Sequence, residues 1–118
     1  MPTFAELTGE EVPTQTTGVS LLPAMLATSQ EPRPNTAPIY FEWSRTDKAG
    51  QSIRVGNWKL IRWLNKPAPV IELYNLADDE SETSNVAKAH SERVEKLLGM
   101  IEKQHHRNKH FPLPLIDQ

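Results

Sequence analysis

Cysteine is absent from the 118 residues, and with it go disulfides, thiolate zinc sites and thiol nucleophiles. Glycine is scarce, five residues against ten prolines, and no glycine-rich loop of the kind that cradles a phosphate can be found. Uninterrupted apolar runs reach four residues at most and no charged-then-apolar leader opens the chain; neither a membrane-spanning helix nor a signal peptide is expected. Charge of one sign is not in excess either. Thirteen basic against fifteen acidic side chains give a net charge of −2, which offers no electrostatic footprint for nucleic acid or an anionic membrane. The lack of cysteine leaves the compartment open, because an oxidising one permits disulfides without requiring them.

What is present divides the chain. The hydrophobic fraction is 37%, and six of the ten prolines fall before residue 39. That distribution predicts an irregular N-terminal arm over residues 1–37 and a folded domain over 38–118, long enough to bury a core. In the arm, Phe4, Ala5 and Leu7 after Pro2 read as a short helix stopped by Gly9, and Leu21 to Leu26 as a second, capped by Ser20 with Pro23 in its first turn. Residues 27–38, with Pro32, Pro34 and Pro38 among polar types, read as a linker.

Past the linker the pattern turns to strands. Ile39 to Trp43 is aromatic and β-branched, Gln51 to Val55 and Trp58 to Leu64 read as a hairpin about Gly56 and Asn57, and Val70 to Leu76 as a further strand. A two-residue turn pairs Val55 with Trp58 and Ile53 with Leu60 on one face, leaving Arg54, Lys59, Ile61 and Trp63 on the other. From Ser84 to Gln104, Val86, His90, Val94, Leu97, Leu98 and Ile101 recur at helical spacing, an amphipathic stripe restarted near Ser91. The expected fold class is α+β: a small antiparallel sheet of three or four strands packed against a C-terminal amphipathic helix, with short helices in the arm.

Residue chemistry yields no active site. Asp78, Asp79, Glu80 and Glu82 invite a calcium reading but lack the ligand periodicity and central glycine of a calcium loop; Asp79 with Glu82 fits a helix-capping box better. His105, His106 and His110 lie beside Arg107 and Lys109, cations that a metal would have to displace, so a solvated helix end is the expectation. His90 on the apolar stripe reads as packed and hydrogen-bonded. Arg54, Lys59, Arg62 and Trp63, on or near the hairpin, are the candidate contacts, either for an anionic or sugar ligand or for another domain. A sheet that leaves such a face uncovered favours self-association into a homo-oligomer.

Three segments, in order, resemble the C-terminal end of a sulfatase of the formylglycine-dependent arylsulfatase type. Pro2-Thr3-Phe4-Ala5-Glu6-Leu7-Thr8-Gly9 leading to Gly18-Val19-Ser20-Leu21-Leu22-Pro23 is similar to the family's PT-x-x-x-L-x-G helix and DG-x-S-L-L-P turn, with Thr17 in place of the aspartate. Val55-Gly56-Asn57-Trp58-Lys59-Leu60-Ile61 is similar to its G-x-W-K-L-I hairpin. Glu72-Leu73-Tyr74-Asn75-Leu76 followed by Asp78 to Ala87 is similar to its ELYDL, D-P-x-E-x-x-N-L-A run, with Glu80 in place of proline. The resemblance implies that residues 1–37 are the last edge of a catalytic domain and that 38–118 complete the fold and wall the active-site cleft. It implies formylglycine and calcium for the parent enzyme and none in this chain, because the C/S-x-P-x-R nucleophile box has no match; Ser29-Gln30-Glu31-Pro32-Arg33 places proline one position late. It further implies no catalytic residue here, a catalytic domain as partner, and the periplasmic, extracellular or lysosomal settings typical of the family.

Overall fold

The computed structural model describes residues 2–14, 16, 18–26, 37–45, 48–64 and 67–117. Thr17, most of the expected linker and the Ser29 to Arg33 segment lie outside the described residues. The chain forms two compact units, Met1–Asn35 and Thr36–Gln118.

In the first unit, α1 spans Pro2–Thr8. It stops because Gly9 takes a left-handed φ of 75°, which lets the Glu10 N–H reach the Ala5 carbonyl at 2.9 Å and the Gly9 N–H the Glu6 carbonyl at 3.4 Å. This is the Schellman closure that glycine permits without steric cost. The second helix, α2, spans only Leu22–Met25. The Ser20 hydroxyl oxygen accepts the Leu22 N–H at 3.1 Å, a local cap, and the Thr3 hydroxyl oxygen accepts the Leu21 N–H at 3.0 Å, which ties the start of α2 to α1.

The second unit is a four-stranded antiparallel meander in the order β1 (Ile39–Ser44), β2 (Ala49–Val55), β3 (Trp58–Trp63) and β4 (Val70–Asn75). The β2–β3 register pairs Val55 with Trp58 and Ile53 with Leu60, as a two-residue turn demands. Gly56 holds φ 60° at the first central position while Asn57 stays at negative φ, the pattern of a type II′ turn whose twist matches the flanking strands. Alternation then puts Ile53, Leu60 and Leu73 on one face. There they meet Leu97 and Ile101 of α3 (Ser91–Gln104) in a buried cluster, with Tyr40, Trp58, Ile71, Val94 and Leu98 packed around it.

The expected helix from Ser84 is shorter than its apolar spacing suggests. After the turns that follow β4, residues 82–86 form no helix, because Asn85 and Val86 close the sheet's free edge. The Val86 N–H donates to the Leu73 carbonyl at 2.9 Å, while the Asn85 side-chain oxygen accepts the N–H groups of Leu73 and Ala87, both at 3.0 Å. The Asn85 amide also donates to the Ile71 carbonyl at 3.3 Å. Only after a 3₁₀ turn at Ala87–Ala89 does α3 begin. Asn85→Ala deprives the Leu73 N–H of its acceptor, and a loss of about 1–2 kcal/mol is expected in urea unfolding. Asn85→Asp, which keeps the oxygen but gives up the amide donor, loses less.

Candidate functional site

The pleat separates the four candidate contacts. Arg54, Lys59 and Trp63 share the sheet face turned away from α3, and Arg62, one residue out of phase, sits with Gln51 on the helix side. On the outer face Trp43, Gly50, Trp63 and Val70 form one cross-strand row. The rings of Trp43 and Trp63 meet edge to face, centroids 5.4 Å apart at 78°, a favourable aromatic geometry. They approach over Gly50, where a Cβ would stand 2.5 Å from Trp43 and 3.0 Å from the Arg62 carbonyl oxygen. The next row holds Phe41, Ser52, Ile61 and Glu72, with Phe41 63% exposed. Arg54 is partly occupied at the turn, its Nε donating to the Gly56 carbonyl at 3.1 Å.

Lys59 is occupied too. Its Nζ lies 2.6 and 2.7 Å from the two carboxylate oxygens of Glu82, which the chain delivers by turning Glu82 into a left-handed φ of 55°. A non-glycine residue there carries a conformational cost, and the ion pair offsets it. The expected capping box is therefore not formed, because α3 starts nine residues after Glu82. Asp79 instead closes its own loop: one carboxylate oxygen accepts the Thr83 N–H and hydroxyl, both at 3.0 Å, and the other the Ser84 N–H at 2.8 Å. Those backbone donors hold its carboxyl below the usual carboxylate range. Tyr74 beneath this loop is pushed up by burial, then by Glu72.

On the helix side the Arg62 guanidinium is engaged by groups of this chain. Its Nε donates to the Gln51 side-chain oxygen at 2.9 Å, and Nη1 stands 3.9 Å from Glu102 of α3. Gln51, fully buried, passes its amide hydrogen to the Tyr40 hydroxyl at 2.8 Å. Tyr40 donates in turn to Glu42, and burial together with that carboxylate drives its hydroxyl pKa up. Glu42 then meets His105, whose Nδ1 is 2.9 Å from Glu42 Oε2 and whose Nε2 is 2.9 Å from Asp117 Oδ1. The end of α3 is therefore not a solvated cluster of histidines: His106 and His110 are exposed, but the His105 side chain is only 13% exposed. His90 departs from expectation in the opposite sense. It is exposed and stacks its edge on Trp58 at 5.2 Å, while Arg93 lies 4.3 Å over the same indole.

Among the described residues no group of three or more His, Asp or Glu side chains is placed to hold a metal ion. The chemistry of the acidic loop agrees, since Asp79 is committed to Thr83 and Ser84, Asp78 to Asn75 and Glu82 to Lys59. The calcium and formylglycine implied by the resemblance do not fit these residues. The outer face carries apolar and aromatic side chains, with Phe41 and Val70 exposed and Arg54 at its edge. Two substitutions test this account. Gly50→Ala forces Trp43 off its partner and costs about 1–3 kcal/mol in chemical denaturation. Glu82→Gln weakens the half-exposed pair by about 0.5–1 kcal/mol, an effect that shrinks as salt is added.

The architecture is shared with known proteins. Arylsulfatase K of Xenopus laevis is 23% identical over 103 residues, covering 81% of this chain and 19% of that protein. The structure of BT4656 in complex with its substrate D-glucosamine-2-N,6-O-disulfate superposes with a TM-score of 0.65 at 25% identity, over 86% of this chain and 22% of that one. The structure of Ps i-CgsB in complex with k-i-k-neocarrahexaose gives a TM-score of 0.66 at 28% identity, with the same coverage. The chain thus spans about a fifth of the length of these relatives, and it corresponds to their C-terminal subdomain. Residues 1–110 match the family model described as N-sulphoglucosamine sulphohydrolase, C-terminal, and the chain belongs to that family.

Proposed function

We propose that this subdomain serves an enzyme that hydrolyses sulfate esters or sulfamates of saccharides, and that its task is structural: its outer sheet face seats on a catalytic domain and walls one side of the active-site cleft. The carrying observation is the family match over residues 1–110 on a sheet with one face packed and the other exposing Phe41 and Val70. The saccharides in the BT4656 and Ps i-CgsB structures support the substrate class. Arg54 and Trp63 would then be domain-interface contacts. Arg62, with its guanidinium bound to Gln51, would be a positioning residue for the sheet, and Lys59 the anchor of the Glu82 loop. The last edge of the catalytic domain would lie in residues 1–37.

In this reading the formylglycine nucleophile and calcium belong to the catalytic domain, and no chemical step passes through the residues described here. No described helix is long and apolar enough to cross a membrane. The periplasm, cell exterior and lysosome, the usual settings of the family, go with the same reading.

A second reading is favoured by one observation. Exposed as it is, the apolar outer face is a surface on which copies of the chain can associate. Two measurements test these readings on the purified chain. With an aryl sulfate or a sulfated disaccharide and calcium, no turnover above buffer is expected, and clear turnover would overturn the structural role. By light scattering the chain is expected to be oligomeric at micromolar concentration and to shift towards monomer on Phe41→Asp. A monomer throughout removes the second reading and leaves the first.

A further inference from the structure

The family match ends at residue 110, and the structure places a built element after it. Leu113 is 2% exposed and forms a small second core with Ala49 and Leu64, with Ile116 packed against it. The segment is folded on itself through Asp117. The Asp117 N–H donates to the Leu113 carbonyl at 3.0 Å, and one carboxylate oxygen accepts the Leu113 N–H at 2.7 Å. Its other carboxylate oxygen is the one 2.9 Å from His105 Nε2. Between these points Leu115 sits at a left-handed φ of 68°, a conformation that a branched side chain adopts only when its surroundings impose it.

His105 is the link between this strap and the sheet. Both ring nitrogens face carboxylate oxygens at 2.9 Å, Glu42 on β1 and Asp117 on the strap. A carboxylate only accepts, so both contacts are hydrogen bonds only when both ring nitrogens carry hydrogen, that is, in the imidazolium. A neutral ring satisfies one and presents a lone pair to the other. The charged groups around the pair are few. On β1 they are Glu42, backed by the Tyr40 hydroxyl; on the strap Asp117, whose carbonyl oxygen accepts from Arg107 at 3.2 Å; on β3 Arg62, three hydrogen bonds from Glu42 through Gln51 and Tyr40. His105 itself closes the C-terminal end of α3, donating its N–H to the Ile101 carbonyl at 2.9 Å, where the helix dipole also favours a cation.

We propose that His105 is a proton-operated clasp: as the imidazolium it bridges Glu42 and Asp117 and holds residues 113–117 over Ala49 and Leu64, and when it loses its proton that strap is released. The sign follows from the two linked groups. The Glu42 and Asp117 bonds raise His105 above its ordinary value against the opposing effect of burial. Closure is therefore fully supported below about pH 6.5 and is lost as pH rises through the raised His105 value. The Leu113 N–H, then His105, hold the Asp117 carboxyl below its ordinary value, so its contribution is lost only as pH falls through that lowered value. Between the two the strap is shut.

The test is NMR on the full chain from pH 5 to 9, following the His105 ring protons together with the order of the Leu113, Ile116 and Asp117 amides. These amides are expected to be rigid at the acid end and to loosen together with the His105 titration, the closing equilibrium falling about tenfold per pH unit in that window. Glu42→Gln leaves the strap's own sequence intact and removes one charge; it should carry the His105 midpoint and the loosening to lower pH by the same amount. Asp117→Asn should free the strap across the whole range. Amides that stay rigid to pH 9, or a loosening that does not move with His105 in Glu42→Gln, would overturn the clasp.

Discussion

A four-stranded sheet has two faces, and one of them is covered by a fourteen-residue helix, with the C-terminal strap over its Ala49–Leu64 end. Most of the second unit follows from that constraint. Ile53, Leu60, Leu73, Leu97 and Ile101 fill the covered side, a cluster whose apolar burial is the dominant favourable contribution to the fold. The other side is sheltered piecemeal: the Trp43–Trp63 pair spreads over Gly50, and the Glu82 loop is drawn across by Lys59. The apolar exposure left on that side is concentrated at Phe41 and Val70, the residues on which the proposed seating against a catalytic domain rests.

The covered side contains a polar seam as well as a core. Burying Gln51 completely is tolerable because its oxygen is taken by Arg62 and its amide by the Tyr40 hydroxyl, so the desolvation that an unpaired amide would suffer is offset. The seam continues through Glu42 to His105 and ends on Asp117. Each member fixes the donor or acceptor state of the next, and the histidine, whose protonated form both carboxylates favour, stands at the junction of sheet, helix and strap. Electrostatics here sets where the C-terminal segment lies, while apolar area supplies the stability.

Period-two and period-3.6 patterns made most of the architecture legible: the hairpin about Gly56, its register, the strand at Ile39 and the stripe of Val94, Leu97 and Ile101 all stand as the residues imply. The same parity argument, applied strictly, already separates Arg62 from Lys59 and Trp63. Residues whose partners are distant in the chain were not legible. Asn85 bonds back to Ile71 and Leu73, Glu82 to Lys59, and His105 to Glu42 sixty-three positions earlier; none of these leaves a periodic trace. Asp79 and Glu82 had the spacing of a capping box, but the edge of β4 claimed the intervening chain first. His90 had the spacing of a core residue, but the 3₁₀ turn ahead of it resets the helical phase.

Asn85 and Val86 have a consequence for how this sheet can grow. By occupying the open hydrogen-bonding groups of β4 they make the sheet one-ended, since no strand from another molecule can be added on that flank without evicting them. On the opposite flank, β1 has no backbone partner on its outer side among the described residues. Among the described residues, strand-by-strand recruitment of further chains, the usual route from an unprotected ribbon to fibrous assembly, therefore finds its open edge at Ile39–Ser44 and is blocked at β4.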